Sequence, residues 1–316
     1  MKNTMRTLST IAAVLTATAL AACVPQDNTE VHPVGRAIPT AEQVQIKLPN
    51  SGASRAIGDI APWYVATRDV TRTLNGGTGW VLILVHTIVQ FPVTSVSGNT
   101  ATWGPWSDAL DPAEYKLEVA EQANGSYDYA LSGRNKTVAG ASFEVVISGN
   151  ALPGAADGQG TGNFAIDFDA AERVNPIDND AAGQVEVVYD LAARQLDMGI
   201  DGVEDRAGVP TPVHFDYAYA EAADGAGDMV FAIHADSEDE GALAEDAVIR
   251  SRWQGDGAGR ADLRISGGDL GAVVGTASEC WGTDFRRSFY EESYNPAATE
   301  GDASACAFAD QDLPPL

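Results

Sequence analysis

From Thr100 onward, apolar and polar residues alternate with a period of two, and glycine-containing turns break the alternation. Tyr115, Leu117 and Val119 alternate with Lys116 and Glu118, while Tyr127, Tyr129 and Leu131 alternate with Asp128 and Ser132. Similar runs occur at Phe143–Ile147, Phe164–Phe168, Val185–Tyr189, Val213–Tyr219, Met229–Ile233, Ile249–Trp253, Ala261–Ile265 and Phe285–Phe289. One-sided apolarity with frequent turns predicts an antiparallel meander with a single buried face. No strand–helix–strand spacing suggests a parallel sheet, and no sequence repeat stands out beyond the alternation.

Upstream, the pattern changes. Ile60, Trp63, Tyr64, Val70 and Leu74 fit a helical face that Gly76 and Gly77 should interrupt. The run Trp80–Phe91, ended by Pro92, is apolar nearly all round, which means burial on every side. Its β-branched content would suit a buried strand, but its length favours a buried helix, too short to span a membrane. Val44, Ile46 and Leu48 alternate as a first strand before Pro49. The predicted fold is mainly β (α+β): an antiparallel meander, a curved sheet or half-barrel packed on one apolar helix.

Register follows from requiring apolar residues to face one side. A three-residue loop Ala123-Asn124-Gly125 pairs Leu117 with Leu131 and Val119 with Tyr129, with Gly125 left-handed. At Asp256-Gly257 a two-residue turn would put Trp253 opposite Arg260. A five-residue loop, Gly255–Gly259, instead pairs Trp253 with Ala261, Ser251 with Leu263 and Ile249 with Ile265, so it is preferred.

The chain is acidic: 45 Asp+Glu against 19 Lys+Arg. That repels nucleic acid and anionic headgroups and excludes both as partners. At 45 % apolar, the chain can bury a real core.

Met1–Thr10 carries Lys2 and Arg6 and no acid, Ile11–Ala22 is apolar, and Leu20-Ala21-Ala22-Cys23 closes the stretch. This resembles the lipobox of bacterial lipoproteins, a resemblance confined to the first 23 residues. It implies a signal peptide over 1–22 and acylation of Cys23, including palmitate. An ordinary secretory signal cut after Ala22 is the alternative. Val24, rather than Asp, follows the cysteine, which in that family implies the outer membrane, facing either periplasm or cell surface. Loss of residues 1–22 removes two basic residues and no acid, so the formal charge falls from −26 to −28. Residues 23–40, with Pro25, Pro33 and Pro39, read as a flexible tether, and 41–316 as a single β-rich domain. With Cys23 assigned to lipid, Cys280 and Cys306 remain as a pair in an oxidising setting. A disulfide there contributes about 3 kcal/mol; two free thiols are the alternative.

Candidate chemistry is sparse. Setting Tyr219 opposite Met229 and Tyr217 opposite Phe231 brings His214 opposite His234 on the polar face, with Asp216 on the same face. Two imidazoles with a nearby carboxylate suit a zinc site or a pH-sensitive pair; solvated surface histidines are the plainer reading. Arg250, Arg252, Arg260 and Arg264 share the next hairpin's polar face, and Arg286 and Arg287 follow. Either they receive a carboxylate or phosphate, or neighbours such as Asp262, opposite Arg252 in this register, neutralise them. Asp236–Gly241 starts like a calcium loop but has Ala247 at its twelfth position, and the fragment at Asp178-Asn179-Asp180 has Tyr189 there. Asp167 and Asp169 would stand about 7 Å apart on one strand face, a spacing that glycosidase acids use.

The aromatic residues are most economically core, yet a sheet curved over a helix can leave a cavity for an acyl chain, with Trp80, Leu84, Ile88, Tyr115 and Tyr129 as its lining. That architecture is similar to the half-open barrels of outer-membrane lipoprotein carriers, without a shared motif. No cofactor is implied. The expected role is a lipid-anchored envelope protein binding a hydrophobic small molecule between sheet and helix. A structural or protein-interaction role through an acidic, cation-binding surface is the alternative, and a hydrolase the second alternative.

Overall fold

A computed structural model describes residues 60–156, 159–206, 209–236 and 243–313, apart from the side chains of 76–80, 82–83, 204–206 and 209. The signal peptide, Cys23, the tether, the Val44–Leu48 strand, the Trp80 ring and residues 237–241 of the calcium-like loop lie outside the described residues.

The strands are β1 (Ser95–Ser97), β2 (Thr100–Trp106), β3 (Ala113–Glu121), β4 (Tyr127–Asn135), β5 (Glu144–Leu152), β6 (Thr161–Asp167), β7 (Gly183–Asp190) and β8 (Gln195–Arg206). The remainder are β9 (Val209–Glu221), β10 (Gly227–Ala235), β11 (Glu245–Trp253), β12 (Gly259–Gly267), β13 (Gly275–Trp281), β14 (Arg287–Glu292) and β15 (Glu300–Gly301). They form one antiparallel sheet in strict sequence order, curved and unclosed, as the alternation predicts. Most of the buried apolar residues of the strands gather in one core cluster with the second half of a long helix, α1 (Pro62–Val89).

That helix runs 28 residues straight through Gly76-Gly77, so the expected interruption does not occur. Each glycine costs about 1 kcal/mol relative to alanine. Tertiary packing on both sides offsets the cost: Thr71, Leu74 and Asn75 before the pair, and Val81, Val85, Ile88 and Val89 after it, are buried. Burial on every side is not seen: Leu84, His86 and Thr87 are half-buried, and Val65 and Arg72 further up are exposed. Pro62 sits in the first turn, where its missing N–H costs nothing, and Pro92 follows the end. The helix lies across the strands. Trp63 N–H bonds to Glu279 on β13 (2.6 Å), the Thr67 and Ser251 hydroxyls meet over β11 (2.6 Å), and Tyr217 on β9 reaches Asn75 (3.3 Å). Just past the helix end, Trp103 on β2 donates to the Phe91 carbonyl (2.8 Å).

The loop Ala123-Asn124-Gly125 forms as expected, pairing Leu117 with Leu131 and Val119 with Tyr129, with Gly125 at φ +82°. The Asp256-Gly257 expectation is wrong by two residues. Trp253 pairs with Gly259, Ser251 with Ala261 and Ile249 with Leu263, around a three-residue loop. The core face is kept because a slip of two preserves it. The slip lies in the loop, which has three residues rather than the expected five. Here aromatic rings lie over cross-strand glycines: Trp253 over Gly227, Trp281 over Gly259, Tyr129 over Gly149 and Tyr189 over Gly162.

Contrary to the expectation of no repeat beyond the alternation, a short one underlies this arrangement. Asp224-Gly225-Ala226-Gly227 and Asp256-Gly257-Ala258-Gly259 are identical, and each closes a hairpin. The aspartate accepts from the backbone two residues on, and the first glycine takes positive φ (+88° and +96°). The second glycine receives the tryptophan, whose Nε1 donates to the first glycine's carbonyl (3.1 and 2.9 Å). Replacing Gly227 with alanine would drive a methyl into the Trp253 ring. Chemical denaturation should show a loss of about 2 kcal/mol for Gly227→Ala, in the range for overpacking. Gly199→Ala, where the nearest atom would stand 3.9 Å away, should be neutral or slightly stabilising.

Two other strand expectations shift. Phe164–Phe168 gives way at Phe168 to a short helix, α2 (Phe168–Val174), because Asp167 caps it by accepting from Ala170 N–H (2.8 Å). Phe285 is not in a strand but in a loop of the same shape, at φ +63°. Its ring is buried, 4.5 Å from that of Tyr64, and packing of this kind holds a large side chain in left-handed backbone.

Candidate functional site on the exposed face of the sheet

The face turned away from α1 divides into two electrostatic regions. Over β10–β13 it carries the arginines, and they are filled from within. Arg250 pairs with Asp228 (2.5 Å) and Asp312 (2.8 Å). Asp262 lies fully buried between Arg260 (2.7 Å) and Arg252 (3.2 Å), and accepts from Ser278 (2.8 Å). Arg260 stands directly opposite Arg252, the place expected for Asp262, which pairs instead with Arg250. The like charges tolerate one another because Asp262 and the chain's C-terminal segment intervene. Arg260 donates to the carbonyls of Phe308 and Ala309, Arg252 to that of Asp310, and the Arg252 guanidinium lies 5.0 Å from the Phe308 ring. The disulfide Cys280–Cys306, formed as expected, fixes the start of this strap. Internal neutralisation is therefore the role of the cluster. Arg287, by contrast, pairs on the helix-facing side with Glu279 (2.6 Å), the carboxylate that Trp63 of α1 also bonds, and with Glu300 (2.9 Å).

The other region is acidic. Between Asn175 and Ile249 the sequence has 18 acidic residues against two arginines. Glu186, Asp197, Asp201 and Asp216 are exposed together on β7–β9. This local imbalance was readable in the sequence but hidden in the whole-chain charge.

Across it runs one register row. His214 stands opposite His234, as the apolar pairing requires, and Asp201 and Asp246 flank them on the neighbouring strands. His214 contacts Asp201 through Nδ1 (2.7 Å) and Asp216 through Nε2 (3.1 Å), and His234 contacts Asp246 through Nδ1 (2.7 Å). The two flanking aspartates were not anticipated; the positions opposite each histidine in the next strand would have found them. The Asp201 hydrogen bond, with Asp216 beside it, raises the His214 pKa above its usual value against a smaller opposing effect of burial. A raised imidazole pKa gives stability that is complete below the unfolded value, about 6.5, and disappears as pH rises through the folded value. The melting-temperature difference between the wild type and Asp201→Asn should therefore be larger at pH 5.5 than at pH 8.5. Among the described residues, no group of three or more His, Cys, Asp or Glu is arranged to hold a metal ion.

The other candidates have structural partners. Asp167 and Asp169 do not share a strand face: Asp167 caps α2, and Asp169, inside α2, accepts from Gly183 N–H (3.0 Å). Asp178 accepts from Asn175 (2.8 Å), Asn179 donates to the Asn175 carbonyl, and Tyr189 is buried in the core. Leu84, Ile88, Tyr115 and Tyr129 do come together in one apolar cluster. Burial pushes the Tyr115 phenol up to about 12. No protein-family model, no curated protein and no solved structure matches the chain.

Proposed function

We propose that the chain is a lipid-anchored envelope protein that binds rather than catalyses, presenting the acidic face of β7–β9 to a basic partner. The observation that carries this reading is the shared exposure of Glu186, Asp197, Asp201 and Asp216, with the arginines of the same face already engaged by the chain itself. A surface of one sign steers an oppositely charged partner and is screened by salt. The proposed anchor rests on the likeness of Leu20-Ala21-Ala22-Cys23 to a lipobox, and Val24 in place of Asp after the cysteine supports the outer membrane. Cys23→Ser should abolish labelling by radioactive palmitate and move the protein to the soluble fraction; unchanged labelling overturns the anchor. Cross-linking in intact envelopes should capture a basic partner that high salt releases and that Glu186→Lys with Asp197→Lys and Asp216→Lys excludes. Retention of the same partner by that triple variant overturns the binding face.

A second reading, an amphipathic small molecule between sheet and helix, has its own support. The helix–sheet seam holds buried polar atoms without hydrogen-bond partners: Asn75 Nδ2, His86 Nδ1 and Tyr189 Oη. Buried polar groups are nearly always satisfied, so each is a handle for a bound molecule or water. Against it, a cavity by Tyr64, Thr67, Trp253, Trp281 and Phe285 has room for no more than one water, about 10 Å³. Native mass spectrometry of protein purified from its own envelope separates the readings: a retained lipid-sized mass favours the seam, a retained basic protein the acidic face.

A further inference from the structure

We infer that the proton on His214 controls how strongly the acidic face holds a basic partner, by withholding or releasing the Asp216 carboxylate. The inference rests on the acidic-face reading above and gives that face a regulation. His214 Nδ1 meets Asp201 at 2.7 Å and Nε2 meets Asp216 at 3.1 Å. A carboxylate only accepts and a neutral imidazole carries one N–H, so the imidazolium alone makes both contacts at once. Loss of its proton leaves one N–H for two acceptors. The shorter contact, to Asp201, keeps it, and Nε2 turns a lone pair toward Asp216. The residues opposite Asp216 on β8 and β10 are Gly199 and Ala232, neither of which supplies a side-chain donor in place of the ring. Deprotonation therefore adds one negative charge to the face and leaves Asp216 open beside Asp197 and Asp201.

The surroundings set the direction. On β9 the nearest titratable group is Asp216; on β8 it is Asp201, with Gln184 and Glu186 beyond it on β7. On β10, His234 stands opposite and Asp236 follows the strand, and on β11 Asp246 holds His234 at 2.7 Å. The carboxylates favour the imidazolium, so His214 titrates above about 6.5, the value for a free imidazole. A cationic partner arriving on the face opposes the ring's charge and drives its proton off. A partner that expels a proton must bind more tightly as pH rises through the titration, and by reciprocity it lowers the pKa of the ring.

The test measures binding of decalysine, a plain basic probe, to the full chain in non-ionic detergent at low salt. Affinity should rise about threefold to fivefold between pH 5.5 and pH 8.5, the size of an exposed charge coupling. His214→Gln should bind it equally at both pH values. Ring-proton NMR gives a readout free of the probe: His214 should titrate at lower pH in Asp216→Asn than in the wild type. Saturating the wild type with decalysine should move the titration the same way. Far-UV circular dichroism checks that these surface variants stay folded. A rise with pH that survives in His214→Gln, or a His214 titration unmoved by Asp216→Asn, overturns the inference and leaves the acidic face standing. Decalysine binding that Glu186→Lys with Asp197→Lys does not weaken overturns both.

Discussion

Asp262→Ala should cost the protein about 3–5 kcal/mol in chemical denaturation, the range for removing one partner of a buried ion pair. Asp262 is fully buried, Arg260 is 3 % exposed, and the lost carboxylate also bonds Arg252 and Ser278. Without it two guanidiniums face each other across β11 and β12 with no charge between them. The Phe308 and Ala309 carbonyls still accept from Arg260, so the strap becomes the remaining source of compensation. Removing residues 307–316 in the Asp262→Ala background should therefore cost more than in the wild type, a coupling that a double-mutant cycle measures. Replacing Arg260 and Asp262 together by leucine and methionine should recover much of the loss, because desolvating the pair offsets most of its attraction. If Asp262→Ala proves neutral, the buried network is not what organises this end of the sheet.

The second large effect is expected at Glu279. It is fully buried, accepts from the Trp63 N–H at the start of α1 and pairs with Arg287 at 2.6 Å. Ala61, the residue before the helix, supplies no side-chain cap, so a carboxylate from the far end of the sequence does so. Glu279→Ala should destabilise by about 3 kcal/mol, leaving a helix N–H and a guanidinium without their acceptor. Glu279→Gln keeps an acceptor for Trp63 and should lose less. Burial raises the Glu279 pKa, and the Trp63 and Arg287 interactions only partly reverse the shift. A carboxylate with a raised folded pKa favours the fold most while protonated. Its contribution declines as pH rises from about 4.5 through the folded value. Glu279→Gln should abolish that decline, so the wild-type-to-variant difference should change between pH 4 and pH 7. A difference independent of pH would show that Glu279 does not titrate in this range.

Much of this fold is written in one-dimensional pattern. The meander, its buried face, the Leu117–Leu131 pairing and the His214–His234 opposition follow from alternation, because side chains on a strand can take only one of two sides; the helix, which holds the Trp80 run as far as Val89, follows from that run's length. Leu196, Met198 and Ile200 carry the same alternation in β8, which was not named in advance although nothing hid it. β13 was hidden, since its core-facing positions are Ala277, Glu279 and Trp281, and a buried carboxylate breaks the pattern that marks a strand. The disulfide partners were countable once Cys23 was set aside.

Tertiary contact decided the rest. Nothing local carries α1 through Gly76-Gly77; burial on the sheet does. Nothing in the alternation prefers Trp253 opposite Gly259 to Trp253 opposite Ala261, since both keep the same face inward; the three-residue turn that Trp281 covers, its ring over Gly259 and its Nε1 donating to the Gly257 carbonyl, sets the register. The arginines of β11 and β12 look open in sequence and are filled only because a disulfide 26 residues long in separation returns the C-terminal segment to them. Alternation reports which side a residue faces, a matter of backbone geometry within one strand. Which neighbour it meets there depends on shape and charge arriving from distant parts of the chain, and only the folded molecule brings those together.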